Sequence, residues 1–321
     1  MSGTAQMDVV ILGAGIAGLA CADQLLAAGH RVTLFDKGRG PGGRMSTRRV
    51  EVDGETLHFD HGAQYFTVRD ERFRRLVQDW QAQGVASPWD EAGPDAWVGT
   101  PTMNAPVRHM ASAHQVHFGH HVVGLTRNAQ GWHVRLQAQQ HGPFDAAIIA
   151  LPAEQAAAIL GTHDLMMAAD AMAARSQPCW TAMIAFEDRV PIAADSIRQR
   201  GIIGWAARDG AKPGRHDGET WVVQGHGSWS TQHLEDSADA VAQALLGALL
   251  AHADGAVPAV RYLAAHRWRF AMTPGIDKGA LWNGSLRLGA CGDWLQGPRV
   301  ELAWLSGHRL GTMIGSAAAA A

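Results

Sequence analysis

The order of elements over residues 8–36 constrains the fold of this chain more than any other feature. An apolar, strand-like run leads into three closely spaced glycines, Gly13, Gly15 and Gly18, which precede a stretch rich in Ala and Leu. A second apolar run then ends in Asp36. This order is typical of a buried strand, a tight turn, a helix and a second, parallel strand. The sequence therefore predicts an α/β fold that opens with a βαβ unit.

The glycines and the acid of this unit each have a separate geometric task. Gly13 lets the chain turn sharply from strand to helix, Gly15 lets backbone approach a pyrophosphate, and Gly18 lets the helix pack closely on the sheet. The helix predicted at 16–28 directs its free N–H groups and positive dipole end toward the phosphates. Asp36 stands at roughly the 20-residue distance at which an acid accepts both ribose hydroxyls and disfavours a 2′-phosphate. The pattern predicts a dinucleotide with an unphosphorylated adenosine.

Composition limits the class of protein. A chain of 321 residues is long enough for one large domain or two interleaved domains. Its hydrophobic content of 47% and charged content of 18% are ordinary for a globular protein. The net charge of −3 gives no basic surface for nucleic acid. Because no apolar run approaches membrane-spanning length and no signal peptide is evident, we expect a cytoplasmic enzyme that binds neither membrane nor nucleic acid.

Cysteine and histidine spacing argues against a metal site or a disulfide framework. The three cysteines, Cys21, Cys179 and Cys291, are far apart and odd in number. Although the chain has 17 histidines, no pair stands four residues apart beside a glutamate. The sequence therefore predicts no metal.

The middle of the chain predicts mainly short strands. An Asp53-Gly54 turn between alternating runs predicts a hairpin, and 70–83 predicts an amphipathic helix that buries Phe73, Leu76, Val77 and Trp80. A β-meander is expected next, followed by a helix at 153–160 after Pro152. The predicted strands of the meander are 116–125, 131–137 and 144–151.

The second half predicts another sheet, one long helix at 237–252, and a return to glycine-rich sequence. The predicted strands of this sheet are 180–186, 202–206, 220–224 and 260–268. The returning segment reads as a strand, a Gly292-Asp293 turn and a closing helix at 300–316. Segments at opposite ends of the chain thus both look like nucleotide cradles. A single sheet built from both termini accounts for this.

These segments together resemble the flavin-containing amine oxidase superfamily. The residues that carry the resemblance are Gly13-Ala14-Gly15-Ile16-Ala17-Gly18, Asp36, Gly42-Gly43-Arg44, Gly292-Asp293, Glu301, Ser306 and Gly307. Within the superfamily the chain looks most like the bacterial renalase-like branch. Three blocks carry that finer resemblance: 43–48 (GRMSTR), 60–66 (DHGAQYF) and 266–271 (HRWRFA). The resemblance spans nearly the whole chain.

The resemblance implies an FAD-binding domain of the Rossmann, hydroxybenzoate-hydroxylase type, interleaved with a smaller α+β substrate domain. We expect the FAD-binding domain at 1–68, 115–160 and 276–321. We expect the substrate domain at 69–114 and 161–275.

The resemblance also implies which residues bind FAD. Arg44 is expected at the pyrophosphate, Asp293 at the ribityl–phosphate junction, and the start of the closing helix at the flavin pyrimidine. Val123 is expected either to contact the adenine through its backbone or to be a core strand residue. Because Cys291 would lie on the ribityl side, we expect non-covalent FAD. The full set of expected cofactor residues is Gly13, Ala14, Gly15, Ile16, Ala17, Gly18, Asp36, Lys37, Gly43, Arg44, Met45, His61, Gly62, Ala63, Gln64, Tyr65, Val123, Asp293, Val300 and Glu301.

Renalase-like enzymes oxidise the 2-dihydro and 6-dihydro isomers of NAD(P)H to NAD(P)+ and pass the electrons to O2, which gives H2O2. Such a substrate carries a ring nitrogen that pushes out hydride, so the protein need only stack the ring on the flavin. The residues expected to position the substrate are Tyr65, Trp180, His226 and Trp268. Further candidates for lining the site are Gln64, Trp205 and Trp294. Arg267 and Arg269 are expected either to meet phosphates or to form surface ion pairs.

Three alternatives stay open. A true amine oxidase of this superfamily often uses an aromatic pair and a lysine near the flavin, whereas this chain has two tyrosines and the strand ending at Trp268 offers no lysine. Desaturases usually have longer chains and a more apolar substrate domain. A non-catalytic FAD-binding protein would show a partner-binding segment, which the sequence does not suggest.

Overall fold

The computed structural model describes residues 6–215 and 218–319, and the chain divides into two compact units. Unit 1 comprises Met1–Gly43, Val107–Ser176 and Thr273–Ala321, and unit 2 comprises Arg44–Pro106 and Gln177–Met272. The domains expected from the sequence are defined by ligand rather than by packing. They group 44–68 with the FAD-binding segments, and this grouping stays a prediction.

The described part of the chain contains eight α-helices. They are α1 (Ile16–Ala27), α2 (Glu71–Ala82), α3 (Ala105–Ala111), α4 (Ala153–Leu160), α5 (Leu165–Ala173), α6 (Gly227–Gln232), α7 (Ala238–Leu250) and α8 (Val300–Ala319).

Nineteen strands accompany these helices in the same described ranges. They are β1 (Asp8–Leu12), β2 (Arg31–Asp36), β3 (Arg48–Val52), β4 (Glu55–Phe59), β5 (Phe66–Thr67), β6 (Ala86–Pro88), β7 (Ala96–Gly99), β8 (Gln115–Phe118), β9 (Gly124–Asn128), β10 (Gly131–Arg135), β11 (Gln140–Phe144), β12 (Ala146–Ile149), β13 (Gln177–Phe186), β14 (Ser196–Arg200), β15 (Ile203–Arg208), β16 (Thr220–Gly225), β17 (Val260–Met272), β18 (Leu281–Asn283) and β19 (Leu288–Ala290).

Unit 1 is organised around a six-stranded sheet in the order β18-β19-β12-β1-β2-β8. The five strands from β19 to β8 are parallel, and β18 is an antiparallel edge strand. Residues 9–12 of β1 are fully buried, as expected for a central parallel strand covered on both faces. The predicted α/β fold and the sheet built from both chain ends are confirmed.

Helix α1 is packed closely on both sides because two glycines leave room for backbone. A Cβ at Gly18 would stand 2.0 Å from the Gly13 carbonyl oxygen, so only glycine lets α1 lie this close to the turn. A Cβ at Gly307 of α8 would stand 1.9 Å from the Ala17 carbonyl oxygen. At Gly307 the two helices therefore touch through backbone.

The predicted β-meander is wrong in part. The run predicted at 116–125 divides into β8, which joins the parallel sheet, and β9, which belongs to a separate antiparallel sheet β11-β10-β9. Between them Gly119 adopts a φ of +72° and donates its N–H to the Gly38 carbonyl oxygen at 2.8 Å. The run predicted at 144–151 likewise divides into β11 and β12. Parallel and antiparallel strands share the same apolar composition, so the sequence does not show which partner a strand takes.

Unit 2 contains a five-stranded antiparallel sheet in the order β14-β15-β16-β13-β17, and its interior strand β13, between β16 and β17, is buried from Pro178 to Phe186. The predicted hairpin is confirmed, because β3 and β4 pair around Asp53 and Gly54 with φ values of +52° and +84°. The predicted amphipathic helix is α2. Asp70 caps it by accepting the Arg72 N–H at 2.9 Å.

We predict that Gly307→Ala destabilises the protein by about 1–3 kcal/mol, since the new methyl group must push α8 away from the Ala17 carbonyl oxygen. The measurement is urea unfolding followed by circular dichroism. Gly247→Ala is the matched control, because Gly247 is exposed in α7 and a Cβ there meets nothing within 4 Å. It should raise stability by up to about 1 kcal/mol through helix propensity. Equal stability changes in the two variants would contradict the packing argument.

Candidate functional site

The glycine turn of unit 1 leaves the N-terminus of α1 open. Gly13 takes a φ of +103° and donates its N–H to the Phe35 carbonyl oxygen at 2.8 Å, which ties the turn to β2. Gly15 is the N-cap of α1 and makes no side-chain cap. A Cβ on Gly15 would meet nothing within 4 Å. Space and unsatisfied N–H donors therefore coincide at this helix end, the arrangement that binds phosphate.

The Asp36 carboxylate holds the same turn in place. One oxygen accepts the Ala14 N–H at 2.7 Å and the other accepts the Gly38 N–H at 2.6 Å. Since β1 and β2 are parallel neighbours, their carboxyl ends meet at one edge of the sheet. Asp36, which is predicted to bind the ribose, thus also positions the glycine turn that is predicted to bind phosphate.

The C-terminal segment reaches the same sheet edge. Gly292 and Asp293 follow β19, which runs parallel to β12 and β1. Ser306 secures this turn: its hydroxyl accepts the Gly292 N–H at 3.0 Å and donates to the Gly279 carbonyl oxygen at 2.5 Å. Helix α8 then begins at Val300, as predicted. Unit 1 therefore brings Gly13–Gly18, Asp36 and Asp293 to the carboxyl edge of one sheet.

The remaining unit 1 candidates differ in exposure. Val123 is 45% exposed, so the alternative that it is a core residue is wrong. Its N–H already donates to the Arg135 carbonyl oxygen at 2.9 Å, so an adenine contact would use its carbonyl group. Lys37 is exposed, whereas Glu301 is buried and lies 3.0 Å from the Arg299 guanidinium. Gly43 lies close to the turn, with its Cβ position 3.7 Å from the Gly15 Cα.

In unit 2, residues 60–65 are held against Arg44 by backbone contacts. Ala63 donates its N–H to the Arg44 carbonyl oxygen at 2.8 Å, and a Cβ on Gly62 would stand 2.0 Å from that same oxygen. The Arg44 side chain donates to the Ala271 carbonyl oxygen at 3.3 Å. Met45 is buried. The structure thus brings together two blocks that the resemblance singled out.

The side chain of Gln64 is turned into the protein. Its amide nitrogen donates to the carbonyl oxygens of Asp60 and Gly62, and its amide oxygen accepts from Lys212 Nζ at 3.1 Å. Gln64 is 5% exposed. The expectation that its side chain lines a ligand site is therefore corrected, because its polar atoms are occupied internally.

Gln64 belongs to a buried cluster of ionic residues, Asp60, Asp209, Lys212 and Arg215, which we call the ion cluster. Lys212 Nζ lies 2.5 Å from Asp209 Oδ1 and 3.5 Å from Asp60 Oδ2, and Arg215 pairs with Asp60. The charges of two acidic and two basic side chains thus offset each other in the protein interior, away from solvent. Sequence reasoning missed this cluster because its two cations lie in a loop without motif or periodicity.

The pKa values of the two carboxyl groups in the ion cluster shift in opposite directions. Burial raises the pKa of Asp60, but the charges of Lys212 and Arg215 outweigh burial and bring that pKa down to about 2. Burial also raises the pKa of Asp209, and here the attraction of Lys212 does not reverse the shift. Asp60 is therefore the firmly ionised member of the pair.

A second cluster in unit 2 surrounds His61. The His61 ring lies 4.9 Å from the His266 ring and 5.1 Å from the Trp268 ring, measured between centroids. Burial, followed by the nearby His266 and Arg48, lowers the pKa of His61 to about 3, so this imidazole is neutral at pH 7. Trp268 Nε1 donates to the His61 carbonyl oxygen at 2.7 Å. Trp268 therefore supports the 60–65 block and keeps a half-buried ring.

Three aromatic residues of unit 2, Tyr65, Trp89 and Trp205, form what we call the aromatic cluster. The Tyr65 ring centroid lies 5.2 Å from that of Trp205 and 6.4 Å from that of Trp89, and the two indoles are 6.3 Å apart. Trp89 is buried, whereas Tyr65 and Trp205 are half-buried. Two sequence candidates thus meet beside Trp89, which sequence reasoning missed.

Two other candidates are corrected. Trp180 is 3% exposed and donates its indole N–H to the His233 carbonyl oxygen at 2.8 Å, so it is a core residue. Trp294 is fully buried and its indole N–H lies 3.2 Å from the Leu151 carbonyl oxygen. His226 is exposed and caps α6 by accepting the Ser228 N–H at 3.3 Å, and its role in positioning the substrate stays a prediction.

The sequence left two alternatives for Arg267 and Arg269, contact with phosphates or surface ion pairs. The structure shows surface ion pairs. Their guanidinium groups lie 2.9 Å and 2.8 Å from the carboxylate of Glu235. Glu235 is 69% exposed, so these pairs contribute little to stability.

Within the described ranges, the histidine, cysteine and acidic side chains form no group of three that could hold a metal ion. Over the same ranges, none of the helices has both the length and the apolar character needed to cross a membrane.

We predict that Gly15→Val yields folded protein with FAD content reduced at least about tenfold. The added side chain meets no protein atom at Cβ, and Gly15 has a φ of −75° that valine adopts freely, so the loss would arise at the ligand. The measurement is the visible flavin band per unit protein, with folding checked by circular dichroism. Gly247→Val in α7 is the control and should keep its flavin. A full flavin band in Gly15→Val would contradict the predicted cradle.

We predict that Lys212→Met destabilises the protein by about 3–5 kcal/mol near pH 8, since two buried carboxylates then share one cation. Asp209 already has a pKa raised above its unfolded value, so its contribution to stability falls as pH rises through that interval. Losing Lys212 raises this pKa further, so the deficit should be smaller at pH 5 than at pH 8. Urea unfolding at both pH values measures the effect.

Lys278→Met is the matched control for this prediction. Lys278 Nζ lies 2.6 Å from Asp170, but its side chain is 49% exposed, so its loss should cost no more than about 1 kcal/mol at either pH. A deficit in Lys212→Met that is constant between the two pH values would contradict the coupling within the ion cluster.

Family models match two parts of the chain. The model described as an NAD(P)-binding Rossmann-like domain matches residues 11–80, and the model described as a flavin containing amine oxidoreductase matches residues 89–191. The 4,4′-diapophytoene desaturase of Staphylococcus haemolyticus is 45% identical over 64 residues, which cover 20% of this chain and 12% of that desaturase. The chain therefore aligns with only a small part of this curated relative.

Solved structures match over nearly the full length. A structure from Exiguobacterium sp. 255-15, provisionally described as a protoporphyrinogen oxidase, is 11% identical with a TM-score of 0.73 and covers 98% of this chain and 100% of its own. Cyclohexylamine oxidase from Brevibacterium oxydans is 13% identical with a TM-score of 0.64 and covers 98% and 99%. At these identities the likeness shows the fold alone. The two family matches and the shared fold make the chain similar to the flavin-containing amine oxidases and indicate FAD as its cofactor.

Proposed function

We propose that this protein oxidises the 2-dihydro and 6-dihydro isomers of NAD(P)H to NAD(P)+ and passes the electrons to O2, which gives H2O2. The proposal places the reaction in the cytoplasm, with non-covalent FAD as the cofactor. Its first support is the resemblance of the blocks at 43–48, 60–66 and 266–271 to renalase-like proteins. Its second support is the chemistry of the side chains around Tyr65.

The observation that carries the proposal is that the ionisable groups around Tyr65 are already committed. In the ion cluster, Asp60 and Asp209 are paired with Lys212 and Arg215. His61, with a pKa of about 3, is a very weak base. These groups therefore leave no ready acceptor for a substrate proton.

This matters because the candidate substrates differ in their need for a base. An alkylamine, with a pKa near that of lysine at about 10.4, arrives as an ammonium ion and must lose a proton before it can give up hydride. A dihydronicotinamide ring already carries an unprotonated ring nitrogen whose electron pair drives hydride loss. The environment of Tyr65 is therefore better suited to the dihydronicotinamide.

Unit 1 supplies the groups that would hold FAD. The open N-terminus of α1 suits the pyrophosphate, Asp36 suits the ribose, and Asp293 suits the ribityl–phosphate junction. When bound, FAD accepts hydride from the substrate and delivers the electrons to O2. The N-terminus of α8 at Val300 offers a positive dipole end, which stabilises negative charge. Roles for Arg44 and residues 61–65 at the cofactor remain part of the proposal.

The comparisons leave the rival activities as alternatives. The cyclohexylamine oxidase likeness at 13% identity extends to the fold and not to the substrate. The desaturase likeness covers 20% of this chain. A small-amine oxidase and a non-catalytic FAD-binding protein are therefore separated from the proposal by experiment.

We predict that anaerobic stopped-flow mixing with 2-dihydro-NAD or 6-dihydro-NAD bleaches the visible flavin band of the holoprotein. Putrescine and cyclohexylamine should leave the band unchanged, because the described ionisable groups named above are not free to deprotonate them. Admission of O2 should restore the band and release H2O2. Bleaching by amines alone would establish an amine oxidase in place of the proposed function. No bleaching by any donor would favour the binding-protein alternative.

A further inference from the structure

The aromatic cluster contains two polar atoms that the described protein leaves without partners. Trp205 Nε1 is shielded from solvent, and no described residue accepts its hydrogen. The Tyr65 hydroxyl likewise makes no hydrogen bond to a described residue. A shielded N–H without an acceptor costs about 1–3 kcal/mol, so such a group gains when a ligand supplies the acceptor.

The condition of Trp205 differs from that of five other indoles in the described part of the chain. Five tryptophans donate to identified acceptors: Trp132, Trp180, Trp221, Trp268 and Trp294. Trp80 also lacks an acceptor, but it is 1% exposed and packs within the core against Phe66 and Phe73. Trp205 instead is half-buried and packs against the half-buried ring of Tyr65.

The charges around the aromatic cluster limit the chemistry of a ligand. The Arg198 guanidinium lies 4.4 Å from the Trp205 ring centroid, and Lys212 Nζ lies 5.6 Å from that of Trp89. Both cations have other partners, since Arg198 donates to the Glu91 carbonyl oxygen and Lys212 pairs with Asp209. Because both cations are held by other partners, neither is free to pair with an anionic ligand. A planar ring that carries a hydrogen-bond acceptor matches the aromatic surface and the unpartnered N–H of Trp205.

We propose that Tyr65 and Trp205 recognise a six-membered heteroaromatic ring that carries a carboxamide. The ring packs against Tyr65, and the carboxamide oxygen accepts the hydrogen of Trp205 Nε1. This inference rests on the proposed function, and it names the residues that select the substrate. Any planar ligand can make the ring contact with Tyr65. Only a ligand with an acceptor can take the hydrogen bond from Trp205 Nε1, so Trp205 is the residue that determines specificity.

The test compares two ligands in two proteins. The probes are NAD+ and its pyridine analogue, which lacks the carboxamide, and their Kd values are measured on oxidised holoprotein by isothermal titration calorimetry. Trp205→Phe keeps an aromatic ring and removes the N–H. It should raise the Kd for NAD+ about tenfold and leave the Kd for the pyridine analogue unchanged. Trp229→Phe is the matched control, because Trp229 is half-buried in α6 and stacks on His233. It should change neither Kd.

Tyr65→Leu provides a second test of the site. Loss of the ring contact should weaken both ligands alike, by about tenfold, because stacking does not depend on the carboxamide. Flavin content and circular dichroism confirm that each variant is folded. Equal changes for the two ligands in Trp205→Phe, or no change in Tyr65→Leu, would overturn the inference.

Binding and turnover distinguish the two proposals. If the wild-type protein oxidises 2-dihydro-NAD but Trp205→Phe binds NAD+ unchanged, the recognition site is wrong and the proposed function stands. If amide-selective binding depends on Trp205 but no dihydronicotinamide isomer bleaches the flavin, the recognition site stands and the proposed oxidase activity is wrong.

Discussion

Close backbone contact at α1 is the constraint on which the rest of unit 1 depends. The Gly13 carbonyl oxygen occupies the space of a Gly18 side chain, and the Ala17 carbonyl oxygen occupies that of a Gly307 side chain. These contacts are short because no Cβ intervenes, and they fix α1 against both the turn before it and α8. Packing and the hydrogen bonds of Asp36 and Phe35 together hold the open N-terminus of α1 at the carboxyl edge of the sheet. The proposed phosphate site depends on that placement.

Unit 2 relies on a different constraint, the balance of buried charge. Burying four ions is costly unless each is paired, and the ion cluster pairs Asp60 and Asp209 with Lys212 and Arg215. Asp60 also accepts from the Thr47 hydroxyl at 2.7 Å. The hydrogen bond from Lys212 then reaches Gln64, next to Tyr65. The ion cluster is therefore positioned to hold the 60–65 block in one conformation.

Local patterns were sufficient to predict much of the fold and half of the candidate site. The turn at Gly13–Gly18, the position of Asp36, and the hairpin at Asp53 all depend on neighbours in the sequence, and they appear as expected. The partners of β8 and β9 depend on residues distant in the chain, and these were mistaken. The residue pattern of a strand indicates which of its side chains are buried, but it does not indicate which strand it pairs with.

Aromatic and charged side chains were harder to place for the same reason. Trp180 and Trp205 both stand in strands, yet one is a core residue and the other lies half-buried beside Tyr65. Composition alone does not separate these environments, because tryptophan suits both. Lys212 was missed because a buried cation becomes visible only when its two acids are brought to it by folding.

The two hydrogen bonds to Asp36 have a consequence for how ligand affinity is read. A carboxylate offers about four lone-pair sites, and Ala14 and Gly38 occupy one on each oxygen, so about two remain, as many as a ribose has vicinal hydroxyls. Protein contacts alone thus hold the anion and the turn in register, and the ordering entropy of this loop is largely lost on folding rather than on binding. Any affinity lost on replacing Asp36 would therefore combine missing ribose contacts with the cost of reordering the loop. The ribose contribution becomes separable only by comparing ligands with and without those hydroxyls.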